Sequence, residues 1–421
     1  MRHPTRPDLT TGLAKDVDFR KVDISDREQV YAAFGAPWPQ PQPQLQPQRA
    51  SGLSSGEDND ENSQGSEIES PEITVFHTAA NIRYYERDPR LQHLSDKVNV
   101  EGTQNALDAA RAAGVSVFIY TSSGSVSVRR TRLWLWPWEK QPKFFVQIID
   151  DDDDGDGRLP RRHEEMFSNY AASKLKAEKL VRAADASGTP SSSRKLEGRR
   201  PSPSPSPIPQ RLLRTGCLRP GNGIYGPGGD MMCGAYLARG FNPSWIHNVL
   251  QNFIYVENAS LAHFCYERRL IDKARGSPNP DLGGQAFCIV DAGPPVTYGD
   301  AYTVLTTLTG GQTVFPRLSA TAMLMLSHVL EWLHLLRSLM TLSPSSFVHR
   351  LGQLVPALSG DLVNLQPSLF SLTMVHLIWD DSRARRSPEN GGLGYKPQWT
   401  TLDALCKLVE EHKKGVAVIP K

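Results

Sequence analysis

The residues with the clearest chemical potential are Tyr170 and Lys174, in Tyr170-Ala-Ala-Ser-Lys174, on a stretch that continues as a helix through Leu175-Lys-Ala-Glu-Lys-Leu180. Residues four apart on a helix share a face, so a phenol and an ammonium can point at one place. Tyrosine loses its proton near pH 10. A neighbouring ammonium favours the phenolate and makes the hydroxyl a usable acid or base nearer neutrality. Taken alone, a Tyr and a Lys at this spacing are equally a helix-surface coincidence, so the elements around them decide. Two hydroxyls stand out there: Ser122 and Ser123 close the apolar run Val115-Ser-Val-Phe-Ile-Tyr-Thr121.

That run reads as a fully buried strand. It is preceded by a β-branched strand over 73–80 and by a helix over 98–110, in which Val100, Thr103, Leu107 and Ala110 share a face and Gly114 is a natural stop. Strand, helix, strand at this spacing is a βαβ unit, which requires a parallel sheet. Ligands of such sheets sit beyond the carboxyl ends of the strands, where Ser122 and Ser123 fall. Further strands are expected over 19–26, 211–220 and 285–290, a short helix over 27–34, and a short strand running into a helix over 252–263.

The 421 residues carry a net charge of +2, and 22% are charged, which points away from nucleic acid and from an acidic scaffold. Five scattered cysteines without a C-x-x-C read as reduced thiols facing a cytosol; neither a disulfide framework nor a metal site is expected. Met1-Arg-His-Pro-Thr-Arg-Pro7 leads into no apolar segment, so no secretory signal is read. The composition divides the chain into 1–35, a first-half remnant of the fold; 36–72, a Pro/Gln and then Ser/Glu/Asp insert expected to be disordered; and 73–310, a catalytic core with irregular inserts at 129–163 and 183–209. The last part, 311–421, is an apolar and mostly helical region for substrate or membrane. The first of those inserts holds Trp134, Trp136 and Trp138, and the acidic run 150–154 reads as a solvated loop. The most apolar helix, 318–342, is long enough to cross a bilayer, but His328, Glu331, His334 and Arg337 interrupt it. A core or lid helix, or one lying in a membrane interface, fits better than a span. The apolar stretch 369–379 poses the same choice.

Taken together and in order, several motifs resemble the extended short-chain dehydrogenase/reductases, and within them the 3β-hydroxysteroid dehydrogenase/isomerase family, including sterol-4α-carboxylate 3-dehydrogenases. They are Val75-Phe-His-Thr-Ala-Ala80, Asn99-Val-Glu-Gly-Thr103, Val117-Phe-Ile-Tyr-Thr-Ser-Ser123 and Tyr170-x-x-x-Lys174. Leu218-Arg-Pro220 with Ile224-Tyr-Gly-Pro-Gly228, Phe253-Ile-Tyr-Val-Glu-Asn258 and Leu393-Gly-Tyr-Lys-Pro397 complete the set. The resemblance implies a Rossmann-like, doubly wound parallel sheet of α/β class, incomplete at its amino-terminal end. It also implies NAD or NADP as cofactor and a small, hydrophobic, sterol-like substrate, with peripheral membrane contact and a homodimer both compatible. The place implied is the cytoplasmic face of the endoplasmic reticulum membrane, or the cytoplasm.

By that resemblance Tyr170 takes the proton of the sterol hydroxyl as hydride leaves for the nicotinamide, and Lys174 supplies a field favouring the phenolate and touches the nicotinamide ribose. Ser123 binds the reacting oxygen, with Ser122 as the fallback. Asp23, with Ile24, matches the adenine contact. Ala79 and Ala80 follow the strand beside the cofactor, Asn99 is a structural residue of the site, and Arg219 and Pro220 match the loop beside the nicotinamide. An epimerase or reductase acting on a nucleotide sugar or a phenylpropanoid is the alternative enzyme. A catalytically inactive binding paralogue is the alternative outside enzymes.

The departure is at the front. The family opens with a strand and a glycine-rich turn that binds the pyrophosphate on a helix N-terminus, whereas here only Gly12 precedes Gly35. A truncated or mis-spliced form of an intact enzyme and a cofactor-poor paralogue both account for this. Either one is expected to bind dinucleotide weakly and to be poorly stable.

Overall fold

The computed structural model describes residues 18–36, 72–151, 162–186, 212–227, 230 and 232–415. Most of the expected insert 36–72, most of 183–209, and the acidic residues 152–154 lie outside the described residues.

The strands are β1 (Thr74–His77), β2 (Val117–Thr121), β3 (Val146–Ile149), β4 (Arg214–Pro220), β5 (Ile224–Tyr225), β6 (Leu250–Gln251), β7 (Ile254–Tyr255), β8 (Ala286–Ile289), β9 (Val296–Thr297) and β10 (His376–Trp379). The central sheet is parallel throughout in the order β1-β2-β4-β8. Helix α1 (Arg27–Phe34) precedes β1, and each crossover carries helices: α2 (Gln92–Asp96), α3 (Gly102–Ala112), α4 (Asn169–Ala183), α5 (Cys233–Arg239) and α6 (Val256–Ala274). Every residue of β2 is buried, because helices cover both faces. Its alternation sorts the layers. Val117 and Ile119 join Leu218, Phe287 and Ile289 under α6, while Phe118 and Tyr120 join Cys217 and Ala286 under α3 and α4. This is a Rossmann-like, doubly wound α/β sheet. Among the described residues β1 pairs only with β2, and Phe76 on β1 packs edge-to-face on Phe264 of α6 at 5.7 Å.

A second sheet, β3-β10-β6-β9, sits beyond the first, so the stretch 129–163, expected to be irregular, contains a paired strand. Past α7 (Tyr298–Leu308) the chain adds α8 (Ala320–Thr341), α9 (Ser346–Leu354), α10 (Asp361–Asn364) and α11 (Pro367–Thr373), then α12 (Ser382–Arg385) and α13 (Thr401–Lys413). Its tail returns to the main core. Leu393 and Tyr395 pack with the β2 and β4 side chains, and the Tyr395 hydroxyl donates to Val290 O at 2.9 Å. The apolar stretch 369–379 is the end of α11 followed by β10.

One expected strand is absent. Over 19–26 the Asp23 carboxylate accepts from the backbone N (3.0 Å) and the hydroxyl (2.8 Å) of Ser25, which turns the chain. Asp26 then caps α1 by accepting from Glu28 N and Gln29 N. Local side-chain bonds of this kind compete with a ladder and win where no partner strand is at hand.

Gly216, in the middle of β4, lets α6 approach: a Cβ there would lie 2.2 Å from the Tyr266 ring, whose hydroxyl is tied to Leu282 O at 2.7 Å. Neither the central strand nor the anchored ring can give way, so Gly216→Val is expected to destabilise the fold by about 3 kcal/mol. Urea unfolding measures this, and a loss below about 0.5 kcal/mol would show that α6 is not seated so closely.

Candidate active site

The site is built where β2 ends and α4 begins. Ser168 caps α4 by accepting from Ala171 N, and this fixes where the helix starts and hence where Tyr170 stands. Tyr170, Lys174 and Glu178 then follow at four-residue spacing along one face. The half-buried Tyr170 phenol faces Ser123, whose hydroxyl offsets part of the burial that pushes the phenol up to about 12. Ser123 also shares a hydrogen bond with the Ser125 hydroxyl at 2.8 Å and caps the short turn Gly124–Ser127. The phenol and the alcohol therefore meet, as one oxygen held between them requires.

Lys174 behaves differently from expectation. Its ammonium donates to Thr121 O at 2.6 Å and lies 4.2 Å over the Tyr120 ring. It is almost wholly buried, and burial pulls its pKa down to about 7. The phenol is thus not lowered by the lysine; burial governs both groups. His77, stacked on Tyr120 at 5.5 Å, is pulled down to about 3, first by burial and then by the Lys174 charge. It donates Nε2–H to Thr103 Oγ1 (3.0 Å), whose own hydrogen goes to Asn99 O at 2.7 Å.

Ser122, the fallback, is committed elsewhere. Its hydroxyl donates to Glu178 Oε2 at 2.6 Å, and Glu178 holds Arg219 at 2.5 and 3.1 Å with both side chains wholly buried. Arg219, expected beside the nicotinamide, is thereby corrected to a core residue. Pro220 ends β4, and its carbonyl oxygen would lie 2.7 Å from a Cβ on Gly124, so the Ser123–Gly124 turn rests against it. Ala79 and Ala80 form the loop beyond the carboxyl end of β1. Asn99 keeps no atom for a ligand: its amide accepts from Asn81 N (2.7 Å) and donates to Asn81 O (3.0 Å) and Ser173 Oγ (2.8 Å). It sits in a π-helical turn, Lys97–Glu101, of the sort that marks functional sites. Asp23 is exposed and turned onto Ser25, while Ile24 packs on Gly102 at the start of α3.

Sequence reasoning did not single out the residues that hold this corner. Asn169 N donates to Glu86 O (2.7 Å) and Asn169 Nδ2 to Asp88 O (2.8 Å), which ties the start of α4 to the loop after β1. Burial alone would raise Glu86, but hydrogen bonds from His334 (2.9 Å) and Arg83 (2.8 Å) leave it lowered. Arg87 grips Glu331 at 2.5 and 2.7 Å. The polar residues of α8 are therefore its docking face onto this loop, while Arg337 caps the end of α9 by donating to Gly352 O at 3.2 Å. No described helix is long and apolar enough to cross a membrane, and no described cluster of His, Cys, Asp or Glu could hold a metal.

Residues 67–192 match the family model described as male sterility protein, an NAD-binding model, and residues 208–314 match that of the 3-beta hydroxysteroid dehydrogenase/isomerase family. A UDP-glucose 4-epimerase from Thermotoga maritima, solved with UDP-glucose, superposes with a TM-score of 0.50 at 15% identity, covering 97% of this chain and 90% of that one. The chain has the extended short-chain dehydrogenase/reductase fold. Among curated proteins, two Arabidopsis thaliana relatives are named 3beta-hydroxysteroid-dehydrogenase/decarboxylase. Isoform 1 is 27% identical over 352 residues, 82% of this chain, and isoform 2 is 26% identical over 273 residues, 64% of it. The chain spans 62% and 38% of their respective lengths.

For a dinucleotide, the nicotinamide end of such a fold is furnished: a phenol, an alcohol and a buried ammonium gather at the end of β2. Among the described residues no glycine-rich turn lies beside β1 for the pyrophosphate.

The Lys174 burial has a measurable consequence. Between pH 7 and 10.5 the unfolded chain keeps this proton and the folded chain releases it, so stability rises with pH across that window. Lys174→Met removes the penalty. The variant is expected to melt several degrees above the parent at pH 6, with the gain fading by about pH 10.5; an equal gain at both would show the ammonium is not desolvated.

Proposed function

We propose that the protein is an NAD(P)-dependent oxidoreductase of the extended short-chain class that oxidises the 3β-hydroxyl of a sterol or steroid-like substrate, in the manner of a sterol-4α-carboxylate 3-dehydrogenase with loss of the 4-carboxylate. The observation that carries this reading is that Tyr170 faces Ser123 at the end of β2, with Lys174 one turn along the same helix. The matches to the 3-beta hydroxysteroid dehydrogenase/isomerase model and to the two Arabidopsis enzymes support the substrate class. Asp23, Ile24, Ala79, Ala80, Asn99 and Pro220 remain the proposed cofactor side, with Asn99 acting through the loop it holds and not by direct contact.

In this reading the substrate oxygen enters between the two hydroxyls. Ser123 donates to that oxygen and holds it in place. Tyr170 exchanges a proton with it. Lys174, held on Thr121 O in the ligand-free site, would favour the phenolate on turning toward Tyr170. A bound nicotinamide would supply the hydride acceptor. The apolar α8 region would accommodate a hydrophobic substrate and bring the enzyme to a membrane surface, with a role in sterol metabolism at the cytoplasmic face of the endoplasmic reticulum.

Tyr170→Phe keeps the ring and removes the proton-exchanging oxygen. Turnover of a 4-carboxysterol or a 3β-hydroxysteroid with NAD or NADP is expected to fall by roughly a hundredfold or more, with the melting temperature within a few degrees of the parent. Retained turnover would overturn the assignment, and preferential turnover of UDP-glucose would favour the epimerase alternative.

A further inference from the structure

Outside the site, the exposed apolar side chains are unevenly spread. The loop Trp134-Leu-Trp-Pro-Trp138 presents four of them: Trp134 (43% exposed), Leu135, Trp136 (56%) and Trp138 (75%). Trp136 and Trp138 stack on each other at 5.3 Å and 1°. The Trp134 indole N–H donates to His328 Nε2 of α8 at 3.3 Å, with the rings 6.3 Å apart. On that helix His328 abuts Met325 and Trp332 at spacings of three and four, and Met325, Val329 and Trp332 form an outward stripe, each more than half exposed. The opposite face of α8, through Glu331 and His334, is the one docked on the protein. Loop and stripe therefore join at His328 into one apolar surface, of a kind that monomeric proteins seldom leave bare.

The charge around it selects the occupant. Residues 129–148 carry five basic side chains, Arg129, Arg130, Arg132, Lys140 and Lys143, against one acid, Glu139, which is paired with Arg132. Indoles have an apolar body and a polar N–H, and they settle at the headgroup level of a bilayer. Basic residues beside them attract anionic headgroups. A nucleic acid would need open aromatic faces for stacking, whereas Trp136 and Trp138 each close one face on the other.

We propose that the Trp134–Trp138 loop and the outer stripe of α8 form a single docking face for an anionic phospholipid surface. The chain lies on the bilayer there, with indoles at headgroup depth and the basic side chains around them. This deepens the membrane-proximal reading above by naming its surface, and it does not depend on the catalytic assignment.

The test uses the full chain with vesicles of phosphatidylcholine alone or with about one third phosphatidylserine, read by co-sedimentation and by quenching of indole fluorescence with brominated acyl chains. The protein is expected to bind the anionic vesicles and to be weakened by salt. Trp136→Ser/Trp138→Ser and Lys140→Gln/Lys143→Gln are each expected to lower the partition roughly tenfold or more, with the melting temperature unchanged. Absence of binding by the parent, or equal binding by both double variants, overturns the proposal. So does loss, in the tryptophan variant, of self-association or of single-stranded RNA binding in place of lipid binding. Turnover of detergent-dispersed sterol by the same variants reports on the catalytic reading alone.

Discussion

The arrangement depends on how α4 is fastened across the ends of β2 and β4. Three side chains at four-residue spacing on that helix share the task. Lys174 reaches Thr121 O, Glu178 takes both Ser122 and Arg219, and Tyr170 is left to meet Ser123. Thr215 of β4 adds a further tie by donating to Val181 O at 2.6 Å. The Glu178–Arg219 pair is wholly buried. Losing one partner of such a pair leaves an uncompensated charge at a cost of roughly 3–5 kcal/mol, so a slip of the helix by one residue is strongly disfavoured. Register along α4 decides whether a phenol faces the strand end at all, and the buried network sets that register two turns away from the phenol.

Much of this was legible before the fold was known. The strand over 115–124 announces itself because a parallel strand buried on both faces must be apolar almost throughout, and those over 73–80, 211–220 and 285–290 were legible from their shorter apolar or β-branched runs. Helix α1 runs over the residues expected of it, Arg27–Phe34. The strand over 19–26 misled because alternation is a weak signal over so few residues and Asp23 had a nearer hydrogen-bond partner in Ser25. At the site, Tyr170 and Ser123 could be paired from the motif order, and Glu178 could have been added, since it extends the same stripe by one turn. Asn169, Glu86 and Asn81 could not. Their work is done largely through backbone atoms, and main-chain donors and acceptors leave no imprint on residue type.

The long apolar helix shows why composition alone left its role open. Its polar residues looked like interruptions of a membrane segment, yet Glu331 and His334 are its means of attachment to the loop that also holds Asn169. Its apolar residues, Met325, Val329 and Trp332, face outward. Leu324 and Leu330 are buried on its inner side beside these polar contacts, so α8 is apolar on two faces, one turned in and one turned out. Displacing α8 would therefore expose two leucines as well as break its ion pairs.

The titration behaviour of the pair also bears on direction. With the phenol near 12 and the ammonium near 7, the ligand-free site at neutral pH holds a protonated tyrosine beside a lysine poised between its two states. A protonated phenol can give a proton to a carbonyl oxygen at once. To take one from an alcohol, it must first become a phenolate, which needs the Lys174 charge turned from Thr121 O toward the site. A bond of 2.6 Å and the face of Tyr120 hold the ammonium where it is, helped by the Glu178 charge. Reduction leaves the same phenolate from which oxidation starts, so proton transfer is coupled to the lysine rotamer in both directions.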